Sequence, residues 1–219
     1  MIEVVGLTKS YLTRQGRRYV FRDLSLAFPE GRNVALMGRN GAGKSTLMRI
    51  LGGTDYPDSG EVRTEKLLSW PLALSGGFQG SLSGKDNVKF VCRAYGSEDE
   101  LPDKLAFIHA FSELGDYFYE PLKSYSSGMR SRLAFALSLA FDFDVYLVDE
   151  VTAVGDEQFK RKARKAFEDL KGRASMIMVS HDMQTLRAHC DAAIFLEEGG
   201  ATFYDELEPA IERYRGVAA

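Results

Sequence analysis

The chain is poor in cysteine, tryptophan and proline, with two, one and six of them in 219 residues. Cys92 and Cys190 stand far apart without CxxC spacing, which argues against a thiol-held metal cluster or a disulfide scaffold. Reduced, buried thiols are expected, with a disulfide between the pair left open. No sign of charge dominates. The 28 basic and 31 acidic residues give a formal net charge of −3, so the basic balance of a nucleic-acid binder is missing and no nucleic-acid partner is expected. Long hydrophobic runs are missing too. The longest nearly apolar stretch, Leu133 to Val148, is broken by Asp142 and Asp144 and falls short of a membrane span. Met1-Ile2-Glu3-Val4-Val5 has neither the basic start nor the apolar core of a signal peptide. Any service to a membrane would run through a partner. With 45% hydrophobic and 27% charged residues, no internal repeat and no low-complexity segment, the chain reads as one globular domain or a core with a modest insertion.

What is present centres on Gly38-Arg39-Asn40-Gly41-Ala42-Gly43-Lys44-Ser45, followed by Thr46. Val34-Ala35-Leu36-Met37 before it reads as a buried strand, and Thr46 to Leu51 after it as a helix. Strand, glycine-rich turn with Lys-Ser, then helix is the context of a P-loop. Glycines at 41 and 43 let backbone N–H groups from Gly41 to Lys44 converge on one anion. The positive end of the new helix adds to that cradle. Lys44 supplies a point charge to the β- and γ-phosphates, and the Ser45 hydroxyl suits Mg²⁺. Such a pattern matches by accident in about one chain of this length in a hundred, and the flanking strand and helix lower that further. The chain binds a nucleotide on this reading.

The remaining pattern alternates strand and helix. Strands are expected at Ile2–Leu7 and Leu24–Phe28, with a hairpin loop over Thr13–Arg18. A turn at Tyr56–Gly60 leads to a short strand at Glu61–Arg63, and residues 64–80 take no clear assignment. Ser83 caps a helix with Val88, Val91, Cys92 and Tyr95 on one face; Pro102 opens another to about Ser112; a short helical piece covers Gly115–Phe118. No strand is expected between Gly80 and Tyr125. Helix Ser127–Phe141, strand Val145–Val148, helix Glu157–Leu170, strand Met176–Val179 and helix Asp182–His189 follow. A strand pair, Ala193–Glu197 and Thr202–Tyr204, and a helix Glu206–Tyr214 close the chain. The fold class is α/β, a mainly parallel sheet covered on both faces. The core spans about 1–80 and 142–219, with a helical subdomain at about 81–141. The basic cluster Lys160-Arg161-Lys162, Arg164 and Lys165 reads as a solvated helix face, since Glu157, Glu168 and Asp169 are interspersed with it.

Val145-Tyr146-Leu147-Val148 ends in Asp149-Glu150. In P-loop ATPases an acid at the end of a buried strand holds Mg²⁺, the role that fits Asp149. Glu150, one residue on, would face the γ-phosphate and polarise the attacking water.

With these residues in order, the chain resembles the nucleotide-binding subunit of ABC transporters along nearly its whole length. The resemblance implies a P-loop core with an N-terminal antiparallel β subdomain and an inserted helical subdomain. It places Tyr11 as the aromatic that stacks on adenine and Gln79 as the Q-loop glutamine that reaches toward Mg²⁺ and the γ-phosphate. Ser126-Ser127-Gly128-Met129 falls at the signature motif, and His181 at the switch histidine. The signature is usually LSGGQ; here Ser127 and Met129 replace a glycine and the glutamine. Of the usual Ser-Ala-Leu-Asp after Glu150, only Asp156 is kept in register. The family arrangement sets Ser126, Ser127 and Gly128 of one copy against the P-loop of a second. ATP with Mg²⁺ would then be clasped in a homodimer that opens on hydrolysis.

The stretch 74–84, the run SSGM with Arg130-Ser131-Arg132 after it, and residues 149–156 resemble the polysaccharide-export subfamily, most like its capsular members. That implies an integral-membrane permease as a separate chain, a polysaccharide or glycolipid as cargo, and a peripheral position on the cytoplasmic face of the bacterial inner membrane. It also implies no carbohydrate-binding extension after the last helix. The alternatives are export of another substrate, or a soluble ABC-type ATPase in translation or DNA repair. Those soluble ATPases usually carry two cassettes or long coiled-coil insertions, and this sequence has neither.

Overall fold

The computed structural model describes residues 1–72, 78–149, 156–170, 172–197 and 200–218. In chain order the elements are β1 (Ile2–Thr13), β2 (Gly16–Phe28), β3 (Val34–Gly38), α1 (Lys44–Leu51), β4 (Ser59–Arg63), α2 (Gly84–Ala94), α3 (Leu101–Ser112) and α4 (Ser127–Leu139). Then come β5 (Val145–Asp149), α5 (Glu157–Leu170), β6 (Ser175–Val179), α6 (Met183–His189), β7 (Ala192–Glu197), β8 (Gly200–Tyr204) and α7 (Leu207–Ala218). They form two compact units. One comprises Met1–Pro71, Phe143–Glu150 and Leu170–Ala219; the other comprises Leu72–Asp142 and Val151–Asp169.

The first unit holds both sheets. β2-β1-β4 is antiparallel, and β5-β6-β3-β7-β8 is parallel apart from the antiparallel edge strand β8. All five residues of β3 are buried, as a continuous apolar run at the centre of a covered parallel sheet requires. Leu7, Phe21 and Phe28 of the antiparallel sheet share one core with Leu36, Leu147, Ile177 and Ile194 of the parallel sheet and with Leu47 and Met48 of α1. The parallel register sets Gly38 beside Leu196, and Asp149 beside Val179. The carboxyl ends of β3, β5 and β6 therefore open on one side, where ligands of such sheets bind.

The second unit is helical. Phe135 of α4 meets Phe111, Phe159 and Phe167 with ring centroids 5.9, 6.0 and 5.4 Å apart, so aromatic packing ties α3, α4 and α5 together. Ser83 caps α2 by accepting the Asp86 N–H at 3.0 Å, as its position predicts. No strand occurs between Gly80 and Tyr125 among the described residues, only a bridge between Ser83 and Pro121.

Several expectations need correction. The hairpin does not loop out over Thr13–Arg18; pairing runs to Thr13 opposite Gly16, leaving a two-residue turn. Exposed strand ends satisfied by cross-strand bonds carry no burial pattern to read. Tyr95 does not share the buried face of α2. It follows the last turn, 48% exposed, with its ring against Phe141. Lys162 leaves the solvated face, donating to the Phe111 carbonyl at 2.9 Å and to Glu113 at 2.7 Å. The unassigned stretch includes an irregular edge along β5, where Ser69 donates its N–H to Val145 and its hydroxyl accepts the Leu147 N–H. Helix α7 runs to Ala218, beyond the expected Tyr214. Cys92 and Cys190 are both buried thiols.

Candidate functional site

A cavity of about 1050 Å³ lies in the first unit. Its lining includes Tyr11, Asn40, Gly41, Ala42, Gly43, Lys44, Ser45, Thr46, Asp149 and His181. Gly38 ends β3 just ahead of the loop, at φ +144, where an added Cβ would lie 2.3 Å from the Leu196 carbonyl oxygen. Gly43 is left-handed at φ +98, and a Cβ there would come within 2.5 Å of the Phe21 ring. Only glycine allows this approach of the loop to β2.

Gly43 is also the N-cap of α1 and brings no side-chain cap bond. Donors at a helix start without such a cap suit an anion. The Lys44 ammonium donates to the carbonyls of Gly38, at 2.7 Å, and Arg39, at 3.1 Å, bracing the loop from within. Asp149, half-buried, ends β5. His181 lies exposed two residues past β6, ahead of Asp182, which caps α6 by accepting the N–H groups of Gln184 and Thr185. Cationic, hydroxyl, carboxylate and imidazole groups thus share one cavity with a glycine-rich cradle, the equipment for a phosphorylated ligand and a hard cation.

The other candidates belong to the helical unit. Gln79 is held through its backbone: its N–H donates to Asn87 Oδ1 at 2.7 Å, and its carbonyl accepts from Asn87 Nδ2 at 3.1 Å. Ser126 is the N-cap of α4, its hydroxyl accepting the Met129 N–H at 3.2 Å, with Ser127 and Gly128 in the first turn. Tyr125 just before them is buried and donates to the Tyr117 carbonyl at 2.5 Å. Burial pushes its phenol up to about 12. Asp156 accepts the Phe159 N–H at 2.9 Å and pairs with Arg132. The N–H bond from Phe159 is the main cause of its lowered pKa. Glu150 and the glycine-rich stretch 73–77 lie outside the described residues.

Residues 21–153 match the ABC transporter family. The chain belongs to that family. Over 98% of its length it is 56% identical to the polysialic acid transport ATP-binding protein KpsT of Escherichia coli, covering 99% of that protein. It is 49% identical to the capsule polysaccharide export ATP-binding protein CtrD of Neisseria meningitidis, covering 99% of this chain and all of that one. A dimeric ATP-binding cassette in a post-hydrolysis state with ADP and Pi superposes with a TM-score of 0.75 over 94% of this chain and 99% of that one, at 22% identity. The chain is an ABC-type ATPase subunit, and the α/β cassette fold matches the sequence reading.

Around this ABC cavity stand residues that the motifs do not flag. Thr13, Arg18, Tyr19 and Arg22 reach it from the β1–β2 hairpin, and Arg49 from α1. The Arg22 guanidinium lies 3.8 Å from the centre of the Tyr19 ring. Strand pairing sets Tyr11 opposite Arg18, a juxtaposition that single-residue motifs do not record. These strand ends are exposed throughout, so no burial pattern in the sequence pointed to them.

Proposed function

We propose that this chain is the ATP-binding and hydrolysing subunit of an exporter that carries capsular polysaccharide or a related glycolipid across the inner membrane. The observation that carries the reading is the end-to-end 56% identity to a polysialic acid transport ATP-binding protein, together with a P-loop, Asp149 and His181 lining one cavity. In this proposal the Gly41–Thr46 backbone, with Gly38 and Asn40 shaping the loop, holds the phosphates. Lys44 exchanges its loop carbonyls for β- and γ-phosphate oxygens. Tyr11 stacks on the base.

Ser45 and Asp149 offer the hard oxygen donors that Mg²⁺ takes, with Gln79 as a further ligand from the Q-loop. The ion would neutralise charge on the phosphates. Glu150 accepts the proton of the attacking water, and His181 contacts the γ-phosphate.

Two copies pair so that Ser126, Ser127 and Gly128 of each meet the nucleotide on the other's P-loop, with Asp156 near the shared seam. Opening after hydrolysis drives a separate membrane-spanning permease from the cytoplasmic face. Among the described residues no helix is long and apolar enough to cross a membrane.

The test is purification of the chain from gently solubilised membranes with its companions identified, alongside ATPase assays of Lys44→Ala and Glu150→Gln. A co-purifying multi-span protein is expected, with nucleotide affinity abolished in the first variant and only turnover abolished in the second. Co-purifying ribosomes or DNA, or unchanged turnover in Glu150→Gln, would contradict the proposal.

A further inference from the structure

We propose that Asp55 is a positioning residue for the base end of the nucleotide site, fixing the Tyr11 ring at a set distance from the phosphate cradle. The inference rests on reading Tyr11 as the stacking platform. Asp55 lies 44 residues from Tyr11 in sequence, outside every phosphate-binding motif, yet its carboxylate is the node that joins β1 to the end of α1. Oδ2 accepts the Tyr11 hydroxyl at 2.6 Å. Oδ1 accepts the Lys9 ammonium at 2.6 Å and the Tyr56 N–H at 2.8 Å. Arg49, in the last turn of α1, donates to the Tyr11 hydroxyl at 3.1 Å and lies 3.8 Å from Oδ2. The Asp55 N–H in turn donates to the Arg49 carbonyl at 3.2 Å.

The phenol therefore both donates and accepts, which removes its freedom to swing. The Lys9 ammonium sits 4.8 Å from the centre of the Tyr11 ring. Lys9 is buried and does not line the cavity, whereas Tyr11 does. The ring face away from Lys9 is the one left for a base.

The same helix serves both ends of the ligand. Its first residues belong to the phosphate cradle, and its last turn, through Arg49 and Asp55, holds the aromatic ring. Burial acts to raise the Asp55 pKa, but hydrogen bonds from Lys9, Tyr11 and the Tyr56 backbone outweigh it and leave the group below the usual carboxylate range. It is thus the charged acceptor that three donors require. In Asp55→Asn, an amide oxygen that satisfies Lys9 turns its NH₂ toward a phenol already accepting from Arg49. The phenol then loses the charged acceptor of its proton, the stronger part of its anchor, with little change in volume.

The experiment measures the affinity of the intact chain for MgATP and for inorganic tripolyphosphate in the wild type, Asp55→Asn, Tyr11→Phe and the double variant. Tyr11→Phe keeps the Lys9–Asp55 pair and the aromatic ring, so it tests the anchor without disturbing the buried charge. Each single variant should bind ATP about tenfold more weakly, the double variant no worse than either, and tripolyphosphate within about twofold of wild type, since partners in one contact are not additive. A purely structural role would weaken both ligands together. ATP affinity unchanged in Asp55→Asn, or a loss shared equally by tripolyphosphate, overturns the assignment. Tyr11→Ala separates the two layers. If it binds ATP as the wild type does, the stacking role itself fails; if it weakens ATP binding while Asp55→Asn does not, only the positioning role fails.

Discussion

Replacing Gly43 by alanine tests how tightly the phosphate loop is pressed against β2. Two penalties act at this position. At φ +98 an L-residue is strained by about 1–2 kcal/mol. The new methyl would also lie 2.5 Å from Phe21 Cζ and 2.6 Å from Val20 Cγ1. Phe21 is 1% exposed and packed in the core, so it cannot step aside, and overpacking of this kind costs about 1–3 kcal/mol. Gly41 is the control, with φ +84 but nothing within 4 Å of an added Cβ. Gly41→Ala should therefore cost about 1 kcal/mol and Gly43→Ala about 3 kcal/mol. In a chain of this size those values lower the melting temperature by about 3 °C and about 9 °C respectively. Thermal unfolding followed by circular dichroism reads both. Equal melting temperatures for the two variants would mean that the loop does not approach β2 so closely, and the packing argument would fail.

Three further outcomes follow from the helical unit. Phe135→Ala removes the ring shared by three helices and should destabilise the unit by about 3–5 kcal/mol in urea unfolding; a loss under about 1 kcal/mol would show that the cluster is not the core. Asn87 is 2% exposed and donates to the carbonyls of Gln79, Leu82 and Ser83; Asn87→Ala should cost about 2 kcal/mol and speed hydrogen exchange at the Gln79 amide, and unchanged protection there would contradict the bracing role. The Tyr125 phenol is raised from 10.0 to about 12, so its contribution to stability is full below pH 10 and is lost as pH rises toward 12. Tyr125→Phe should flatten that alkaline limb in pH-dependent unfolding, and an identical limb in both proteins would refute the assignment.

How much was legible in the sequence depended on the range of the interaction that decides each feature. Ser83 capping α2, Pro102 opening α3 and the apolar run of β3 are local signals, and the structure places them where they were read. The P-loop was legible because its glycines, Lys44 and Ser45 are consecutive. The hairpin beyond Tyr11 was not, because its exposed Arg17 and Arg18 are ordered by pairing with β1, not by burial. Lys9 lies past the strand expected at Ile2–Leu7, yet it belongs to β1 and is 7% exposed because Asp55, 46 residues away, meets it. Lys162 belonged by composition to a solvated face, and the Phe111 carbonyl and Glu113 drew it inward. The edge along β5 was invisible since Ser69 joins it through one backbone bond and a side-chain hydroxyl, and Pro71 breaks any strand pattern.

The central claim is that each copy supplies half of a nucleotide site that its twin completes. Light scattering of Glu150→Gln with MgATP and with MgADP tests it most directly, because blocked hydrolysis should hold the closed pair. Twice the mass of one chain is expected with MgATP, returning to a single chain with MgADP or when Ser126 and Gly128 are also replaced. A protein that binds MgATP and stays a single chain, alone and beside its membrane partner, would contradict the account.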